Sequence, residues 1–180
     1  MVTGDVDLGT VNAADPAAFR ALVAPLFEGA PRFLDRLAAA RPFVDWASMF
    51  GAARTIAHAM PEVEQVELID AHPRLGAPPA TVSEMSFREQ GYDREAAGDA
   101  DSIEIERARV AAELERLNAA YEARFGFRYC VRVGGRPRAA LLPDMEASLG
   151  SDPEAERHRA LDAVVDIAVD RLNALLGPNA

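Results

Sequence analysis

The chain has 180 residues, of which 49% are hydrophobic and 27% charged, and its formal net charge is −10 at pH 7. A chain of this length forms one ordinary globular domain, or at most two small ones. Its negative charge argues against a general nucleic-acid surface, because phosphate binding requires a basic face. The single cysteine excludes an internal disulfide and a multi-cysteine metal site, and the absence of lysine excludes Schiff-base chemistry.

The chain lacks the sequence features of a membrane protein. Its longest stretches without a charged residue are far shorter than the ~20 apolar residues of a membrane span. The N-terminal sequence MVTGDVDLG has no basic region followed by an apolar run, so we expect no signal peptide. We expect a cytoplasmic protein, with neither a membrane nor a nucleic acid as its partner.

Hydrophobic spacing and capping residues predict helices along the first half of the chain. Asp15 and Pro16 form an N-cap followed by a proline at the first helical position, and this helix is predicted to run through Phe27. The further predicted helices are a segment at about Phe33–Ala40, a segment after Pro42 with an apolar face from Trp46 to Met60, and PEVEQVELIDA from Pro61.

The second half contains two long predicted helices. The first runs from Ser102 to about Arg124, and the second begins at the capping sequence SDPE, at residues 151–154. Between them, residues 127–133 have strand-like composition without a visible partner strand. The predicted fold is therefore all-α: a single-domain helical bundle over residues 1–180 with one short extended segment near residues 127–133.

The sequence does not predict a helix or strand over the whole of residues 71–101, so part of this segment is expected to be a loop. Long loops in compact domains are often functional. In this segment, His72 precedes a proline, which displaces it from the helical region and places it at a helix exit. His72 is either a polar loop residue or a general acid/base at the mouth of a pocket. The other histidines, His58 and His158, are predicted to be solvated surface residues, and the three do not have the spacing of a zinc site.

Two further sequence features have both a structural and a functional interpretation. Ser86 and Glu89 have the spacing of a helix capping box, with Gln90 next to them, and a helix N-terminus also suits a polar or anionic ligand. Arg171 lies at the edge of the apolar stripe of the last helix, where a buried arginine needs a partner. It is either half of an internal salt bridge or a clamp for a substrate carboxylate or carbonyl oxygen.

Six short segments in fixed order resemble the 2-oxo-4-hydroxy-4-carboxy-5-ureidoimidazoline (OHCU) decarboxylases of urate degradation. They are FEGAP from Phe27, RPF from Arg41, AHPRLG from Ala71, SFREQ from Ser86, FGFRYCV from Phe125, and the closing helix with VVDIAVDRL. Their order and spacing together carry the resemblance, which covers most of the chain.

The resemblance implies an all-helical decarboxylase, free of cofactor and metal, that forms (S)-allantoin from a ureidoimidazoline acid. It implies His72, Glu89 and Arg171 as catalytic residues. The implied substrate-binding residues are Pro73, Ser86, Gln90, Phe127, Arg128, Tyr129, Cys130 and Val131. Arg128 and Tyr129 stand where the family frequently has proline and phenylalanine, so the role of their side chains stays open.

Two other functions stay open from the sequence: a helical adaptor module in which His72 and Glu89 are only caps, and a decarboxylase for a related ureido or imidazoline acid. A decarboxylase requires the three catalytic residues to converge on an enclosed polar pocket, whereas an adaptor would expose a contiguous apolar patch. A homodimer is also open.

Overall fold

The computed structural model describes residues 7–92 and 100–177, and over these residues the chain consists of helices and connecting segments without a β-strand. The all-α prediction is confirmed, and residues 127–133 lie outside the helices as predicted. The helices are α1 (Leu8–Ala13), α2 (Pro16–Val23), α3 (Pro31–Ala39), α4 (Trp46–Ala59), α5 (Glu62–Asp70), α6 (Glu84–Glu89), α7 (Ala100–Phe125), α8 (Leu142–Ser148) and α9 (Pro153–Leu176). Single 3₁₀ turns occupy Ala24–Leu26, Pro79–Thr81 and Arg138–Leu141.

The chain divides into two compact units. Unit 1 comprises Met1–His72 and Arg157–Ala180, and unit 2 comprises Pro73–Glu156. The assignment of residues 1–180 to one domain stays a prediction. None of the helices in the described ranges 7–92 and 100–177 is both long and apolar enough to cross a membrane.

In unit 1, α3 packs against α2, α4 and α5, and α1 packs against α2. The Asp15 carboxylate caps α2 as predicted, with Oδ1 accepting two backbone N–H bonds of 2.9 Å. The predicted length of this helix was wrong, because Pro25 has no N–H to continue the α-helical ladder and a 3₁₀ turn follows Val23. Pro31 is the first residue of α3, so that helix begins two residues before the predicted Phe33.

The RPF segment ties α1 to the region after α3. Arg41 donates from Nε to the carbonyl of Ala38 and from Nη1 to the carbonyl of Ala14, after the end of α1. The Asn12 amide pairs with both backbone groups of Phe43, accepting at 2.9 Å and donating at 2.8 Å. These contacts satisfy carbonyls that a helix end leaves without an intrahelical partner.

Helix α9 contributes its apolar stripe to the core of unit 1. The buried residues of the predicted stripe are Leu161, Val164, Val165, Ala168 and Leu172. Leu175, one residue before the end of the helix, continues the spacing of this stripe but is 52% exposed. On the solvent side, Arg54 of α4 binds Asp162 at 2.6 Å and Asp166 at 2.7 Å.

Helix α7 supplies the core of unit 2, and α8 packs against it. Its predicted apolar face is buried at Val110, Leu114, Leu117 and Tyr121; the side chain of Ile103 lies outside the described residues, as do residues 93–99 of the predicted loop. The buried face carries the 7-, 3- and 4-residue steps of an amphipathic helix, so the sequence pattern alone locates it.

The loop after Pro73 is held by side chains of unit 2. Asn118 donates to the Leu75 carbonyl at 3.0 Å. Gln90 accepts from the Gly76 N–H at 2.8 Å and donates to the Arg74 carbonyl at 3.2 Å. Gly76 has a φ of +81°, and a β-carbon there would lie 2.7 Å from Cδ1 of Leu114. Position 76 therefore requires glycine for both its backbone conformation and its space.

We predict that Gly76→Ala lowers the free energy of unfolding by about 1–3 kcal/mol, because alanine in the left-handed region is strained and its methyl group displaces Leu114. Gly51→Ala is the matched control, since Gly51 lies within α4 with nothing within 4 Å of the added carbon. This control should raise stability by about 0.5–1 kcal/mol. Urea unfolding of both variants measures the difference, and a Gly76→Ala protein as stable as the wild type would contradict the packing at this loop.

Candidate active site

His72 is a buried residue of unit 1 at the end of α5. Its backbone N–H donates to the carbonyl of Ile69 at 3.1 Å, which closes the last turn of the helix. Pro73 follows and has no N–H to extend it, so the predicted helix exit is confirmed. The residue is only 4% exposed, which separates it from an ordinary solvated loop histidine.

The environment of His72 favours its neutral form. Burial lowers the pKa of the imidazole to about 4, and the positive charge of Arg171 acts in the same direction. The charge of Glu28 and the backbone carbonyl of Leu68 oppose this shift without cancelling it. At neutral pH the imidazole is therefore uncharged and can accept a proton.

Arg171 is a buried cation of the same unit, 2% exposed on the inner side of α9. Its Nη1 donates to the Pro25 carbonyl at 2.9 Å, and its Nη2 lies 2.8 Å from Oε1 of Glu28. The internal salt bridge foreseen as one interpretation is thus present. The other interpretation, a clamp for substrate, stays a prediction.

Glu28 is the member of this cluster that sequence reasoning missed. Its side chain is 16% exposed, and its backbone has a φ of +51° within a tight turn that Gly29 continues at +81°. The turn is closed by the N–H groups of Phe27 and Gly29, which both donate to the carbonyl of Ala24. Two sequence signals could have indicated it: Glu28 is the acid of the FEGAP segment, and a buried Arg171 requires a carboxylate.

Unit 1 therefore brings together two of the three predicted catalytic residues, His72 and Arg171, and adds Glu28. A neutral imidazole can take a proton from one atom and return it to another. A guanidinium can hold a carboxylate or carbonyl oxygen through directional N–H bonds. The cluster is suited to proton transfer on a small polar or anionic molecule.

In unit 2, the interpretation of Ser86 and Glu89 as a capping box was wrong. The N-cap of α6 is Ser83, whose Oγ accepts the backbone N–H of Ser86 at 3.1 Å. A serine three residues upstream provides the cap, so Ser86 lies within the first turn as a buried residue. Glu89 is the last residue of α6 and is half-buried.

Other predicted binding residues of unit 2 have structural contacts of their own. The Gln90 side chain spans the loop after Pro73, as given above, and its Oε1 also accepts from the Tyr92 hydroxyl at 3.2 Å. Pro73 itself is half-buried. Gln90 therefore holds the backbone within the AHPRLG segment, at Arg74 and Gly76, and its contact with substrate stays a prediction.

The segment of residues 127–131 is largely packed inside unit 2. Phe127 and Tyr129 meet the Tyr121 ring edge-on, with centroid distances of 5.7 and 5.1 Å. Cys130 is also buried, whereas Arg128 and Val131 are half-buried. Substrate binding by these five residues stays a prediction.

His58 and His158 are half-buried rather than fully solvated as predicted. They form a pair of rings 4.7 Å apart on α4 and α9, and Nε2 of His58 lies 2.8 Å from the Asp162 carboxylate. The prediction was wrong because the charged run around His158 packs beside α4. Across the side chains that the structure describes, no group of three or more His, Cys, Asp or Glu residues could hold a metal ion.

The structure defines a class of protein: an all-α fold that buries a histidine and an arginine. Comparison with known proteins identifies the family. The OHCU decarboxylase family profile matches residues 12–173, and the chain belongs to this family. The expectation from the six motifs is thereby confirmed.

Several relatives are named as OHCU decarboxylases or as uric acid degradation proteins. The chain is 27% identical over 168 residues to the 2-oxo-4-hydroxy-4-carboxy-5-ureidoimidazoline decarboxylase of Haloferax volcanii, covering 93% of this chain and 95% of that protein. It is 28% identical over 178 residues to the mouse protein of the same name, covering 97% and 96%. The uric acid degradation bifunctional protein PucL of Bacillus subtilis is 31% identical over 162 residues; the match covers 90% of this chain but only 31% of PucL, which is about three times as long as the matched region.

Two solved structures share the fold. A crystal structure of OHCU decarboxylase in the presence of (S)-allantoin superposes with a TM-score of 0.65 at 20% identity, over 91% of this chain and 99% of the other. A crystal structure of (S)-allantoin synthase superposes with a TM-score of 0.64 at 20% identity, over 94% of this chain and 53% of the other. At this identity the two structures establish the fold.

We predict that the His72 imidazole remains neutral down to a pH of about 4, because burial and the charge of Arg171 both disfavour its protonation. Side-chain NMR of ¹⁵N-histidine-labelled protein between pH 7 and pH 4 measures this titration, and His72→Gln identifies the resonance. An imidazole of His72 that titrates at its ordinary pKa of 6.5 would contradict the burial and charge given above.

The same shift makes stability depend on pH with a defined sign. Between pH 6.5 and about 4 the unfolded chain binds a proton at His72 and the folded chain does not, so the folded state loses stability as the pH falls through this window. From pH 7 to pH 5 the wild type should lose about 2 kcal/mol more than His72→Gln. Equal losses in urea unfolding would contradict the lowered pKa.

Proposed function

We propose that this protein decarboxylates 2-oxo-4-hydroxy-4-carboxy-5-ureidoimidazoline to (S)-allantoin in urate degradation. The observation that carries the proposal is the buried, neutral His72 beside the buried Arg171, in a chain of the OHCU decarboxylase family. The names of the Haloferax and mouse relatives, which match over nearly their whole length, supply the substrate.

The proposed substrate carries its own electron sink. Carbon 4 bears a hydroxyl and a carboxylate, and the neighbouring carbon 5 is part of a C=N bond. When the bond from carbon 4 to the carboxylate breaks, carbon dioxide leaves. The electron pair of that bond stays on the substrate and forms a double bond between carbons 4 and 5. The C=N electrons move onto nitrogen, which takes up a proton. Moving the hydroxyl proton to carbon 5 then gives the carbonyl and the new C–H bond of allantoin.

We assign this proton transfer to His72. A neutral imidazole can take the hydroxyl proton and deliver it to carbon 5 from one side, and a fixed side of delivery gives one enantiomer. A negative charge on the substrate favours the protonated form of the His72 imidazole. It therefore stabilises the state in which His72 holds the proton between the hydroxyl group and carbon 5. The lowered pKa of the His72 imidazole is therefore compatible with its proposed role as a proton carrier.

Arg171 is proposed to orient the substrate carboxylate or a ring carbonyl and to stabilise the developing negative charge. Positioning and electrostatics must supply the catalytic effect if the reaction uses no cofactor or metal, as the family resemblance implies. We retain Glu89 as the third proposed catalytic residue on the strength of the SFREQ motif. The proposed substrate contacts are Pro73, Ser86, Gln90 and the residues 127–131.

We also propose that the enzyme is cytoplasmic. Cys130 is the single cysteine of the chain, so no internal disulfide can form, as is typical of proteins in a reducing compartment. A homodimer stays a prediction. The family assignment favours an enzyme over the adaptor module, and a decarboxylase for a related ureido acid is an outcome of the following assay.

The reaction is tested by circular dichroism after freshly generated urate-oxidation intermediates are added to the protein. We expect a rapid signal of (S)-allantoin, where the reaction without protein gives slow formation without enantiomeric excess. A wild-type protein that leaves both the rate and the enantiomeric composition unchanged would refute the proposed substrate. Reaction with another ureido or imidazoline acid in parallel assays would then assign the related activity.

We predict that His72→Asn lowers kcat by about 10²–10⁴-fold, because it removes the proton carrier. His158→Asn makes the same chemical change at a histidine outside the proposed site and should keep wild-type kcat. Far-UV circular dichroism establishes that both variants are folded. If His72→Asn turns over substrate at the wild-type rate, His72 is structural and the mechanism is wrong.

We predict that Arg171→Lys lowers kcat/KM roughly 10–150-fold although it keeps the positive charge, since an ammonium group cannot reproduce the paired N–H bonds of a guanidinium. Initial rates and thermal melts of one preparation distinguish the two interpretations of this residue. A variant with a lower melting temperature but unchanged kcat/KM in its folded fraction would leave Arg171 only as half of the salt bridge with Glu28.

A further inference from the structure

Three contacts of Arg171 come from one short turn of unit 1. The carbonyl of Pro25 binds Nη1, the carbonyl of Leu26 lies 3.5 Å from the same nitrogen, and the carboxylate of Glu28 binds Nη2. Contacts at both terminal nitrogens determine the plane of the guanidinium, which a single contact would leave free to rotate. Of these partners, Glu28 is the one that carries charge.

The backbone at Glu28 indicates that its side chain has a specific use. A φ of +51° lies in the left-handed region, which costs an ordinary L-residue roughly 1–2 kcal/mol and suits glycine or asparagine better. Neighbouring Gly29 adopts the same region without this cost. A glutamate is held at the strained position, and from there its carboxylate reaches the buried Arg171.

Glu28 also acts on His72 through charge. Arg171 and Glu28 both act on the imidazole, in opposite directions: the cation lowers the pKa of His72 and the carboxylate raises it. Without Glu28, the full charge of Arg171 would act against a protonated imidazole. The carboxylate therefore affects both the geometry of the cation and the proton affinity of the histidine.

We propose that Glu28 is a positioning residue of the decarboxylation: its carboxylate sets the plane of the Arg171 guanidinium and offsets the charge of that cation beside His72. This role rests on the function proposed above. Glu28 acts through Arg171 and His72, and the proposal needs no contact between Glu28 and the substrate.

The test compares three substitutions at position 28. Glu28→Gln keeps the shape and removes the charge, Glu28→Gly relieves the backbone and removes the side chain, and Glu28→Asp keeps the charge with a shorter reach. We expect kcat to fall roughly 10–100-fold in the glutamine and glycine variants, with a smaller change in KM, and to be partly restored in the aspartate variant. Asp35→Asn is the control, because it removes an exposed ion pair with Arg20 in the same unit and should keep wild-type kinetics.

Two readouts separate positioning from a structural role. In Glu28→Gln the pKa of His72 should fall below that of the wild type, so the acidic limb of the kcat/KM profile and the ¹⁵N resonance of the imidazole should both move to lower pH. A Glu28→Gly enzyme with wild-type kcat, or a Glu28→Gln enzyme with an unchanged pH profile, would overturn the proposal even if its melting temperature were lower.

Failure of this proposal is distinguishable from failure of the proposed function. A wild-type protein without turnover refutes the decarboxylase function and with it the positioning role. An active wild type whose Glu28 variants match it in kcat, pH profile and imidazole resonance refutes the positioning role alone.

Discussion

The burial of the Arg171 guanidinium is the constraint around which the site of unit 1 is organised. A cation removed from water is stable only where charge and hydrogen bonds replace its hydration. The turn before α3 supplies both, through two backbone carbonyls and the Glu28 carboxylate. The left-handed backbone at Glu28 is the local cost of delivering that carboxylate to an arginine 143 residues further along the chain.

The charge state of His72 follows from the same arrangement. The imidazole ends α5 in a buried position, where its protonation would place a second cation beside Arg171. Glu28 reduces this repulsion without removing it, and a neutral imidazole therefore lies near the Arg171 cation at neutral pH. A substrate that brings a carboxylate adds a negative charge and makes proton uptake by His72 more favourable. Under the proposed function, the substrate's negative charge would favour the protonated imidazole that delivers the proton.

Patterns local in sequence predicted the fold well, and contacts distant in sequence were harder to predict. The long helices α4, α7 and α9 were foreseen because a 3.6-residue period of apolar residues reflects one buried face. The short α1 and α8 were not, since six or seven residues show little periodicity. The α6 cap was assigned to Ser86 rather than Ser83 because Ser86 has Glu89 at the capping-box position, whereas the residue three positions after Ser83 is another serine.

The same difference between local patterns and distant contacts applies to the residues of the candidate site. His72 was indicated by its proline neighbour and by motif order, and Arg171 by its conflict with an apolar stripe. Glu28 was harder to identify than either, because its contact with Arg171 depends on a turn conformation and on a partner on α9. A buried arginine in a predicted core helix thus indicates that a carboxylate pairs with it. Only the fold shows which residue supplies that carboxylate.

The central claim, that His72 beside Arg171 and Glu28 forms the catalytic centre for allantoin formation, is tested most directly by ligand titration. The ¹⁵N resonance of the His72 imidazole is followed at neutral pH while (S)-allantoin and, separately, (R)-allantoin are added. We expect a saturable shift of the His72 resonance with (S)-allantoin, a weaker response to (R)-allantoin, and loss of the response in Arg171→Lys. Binding of (S)-allantoin that leaves the His72 resonance unchanged, or identical responses to the two enantiomers, would contradict the central claim.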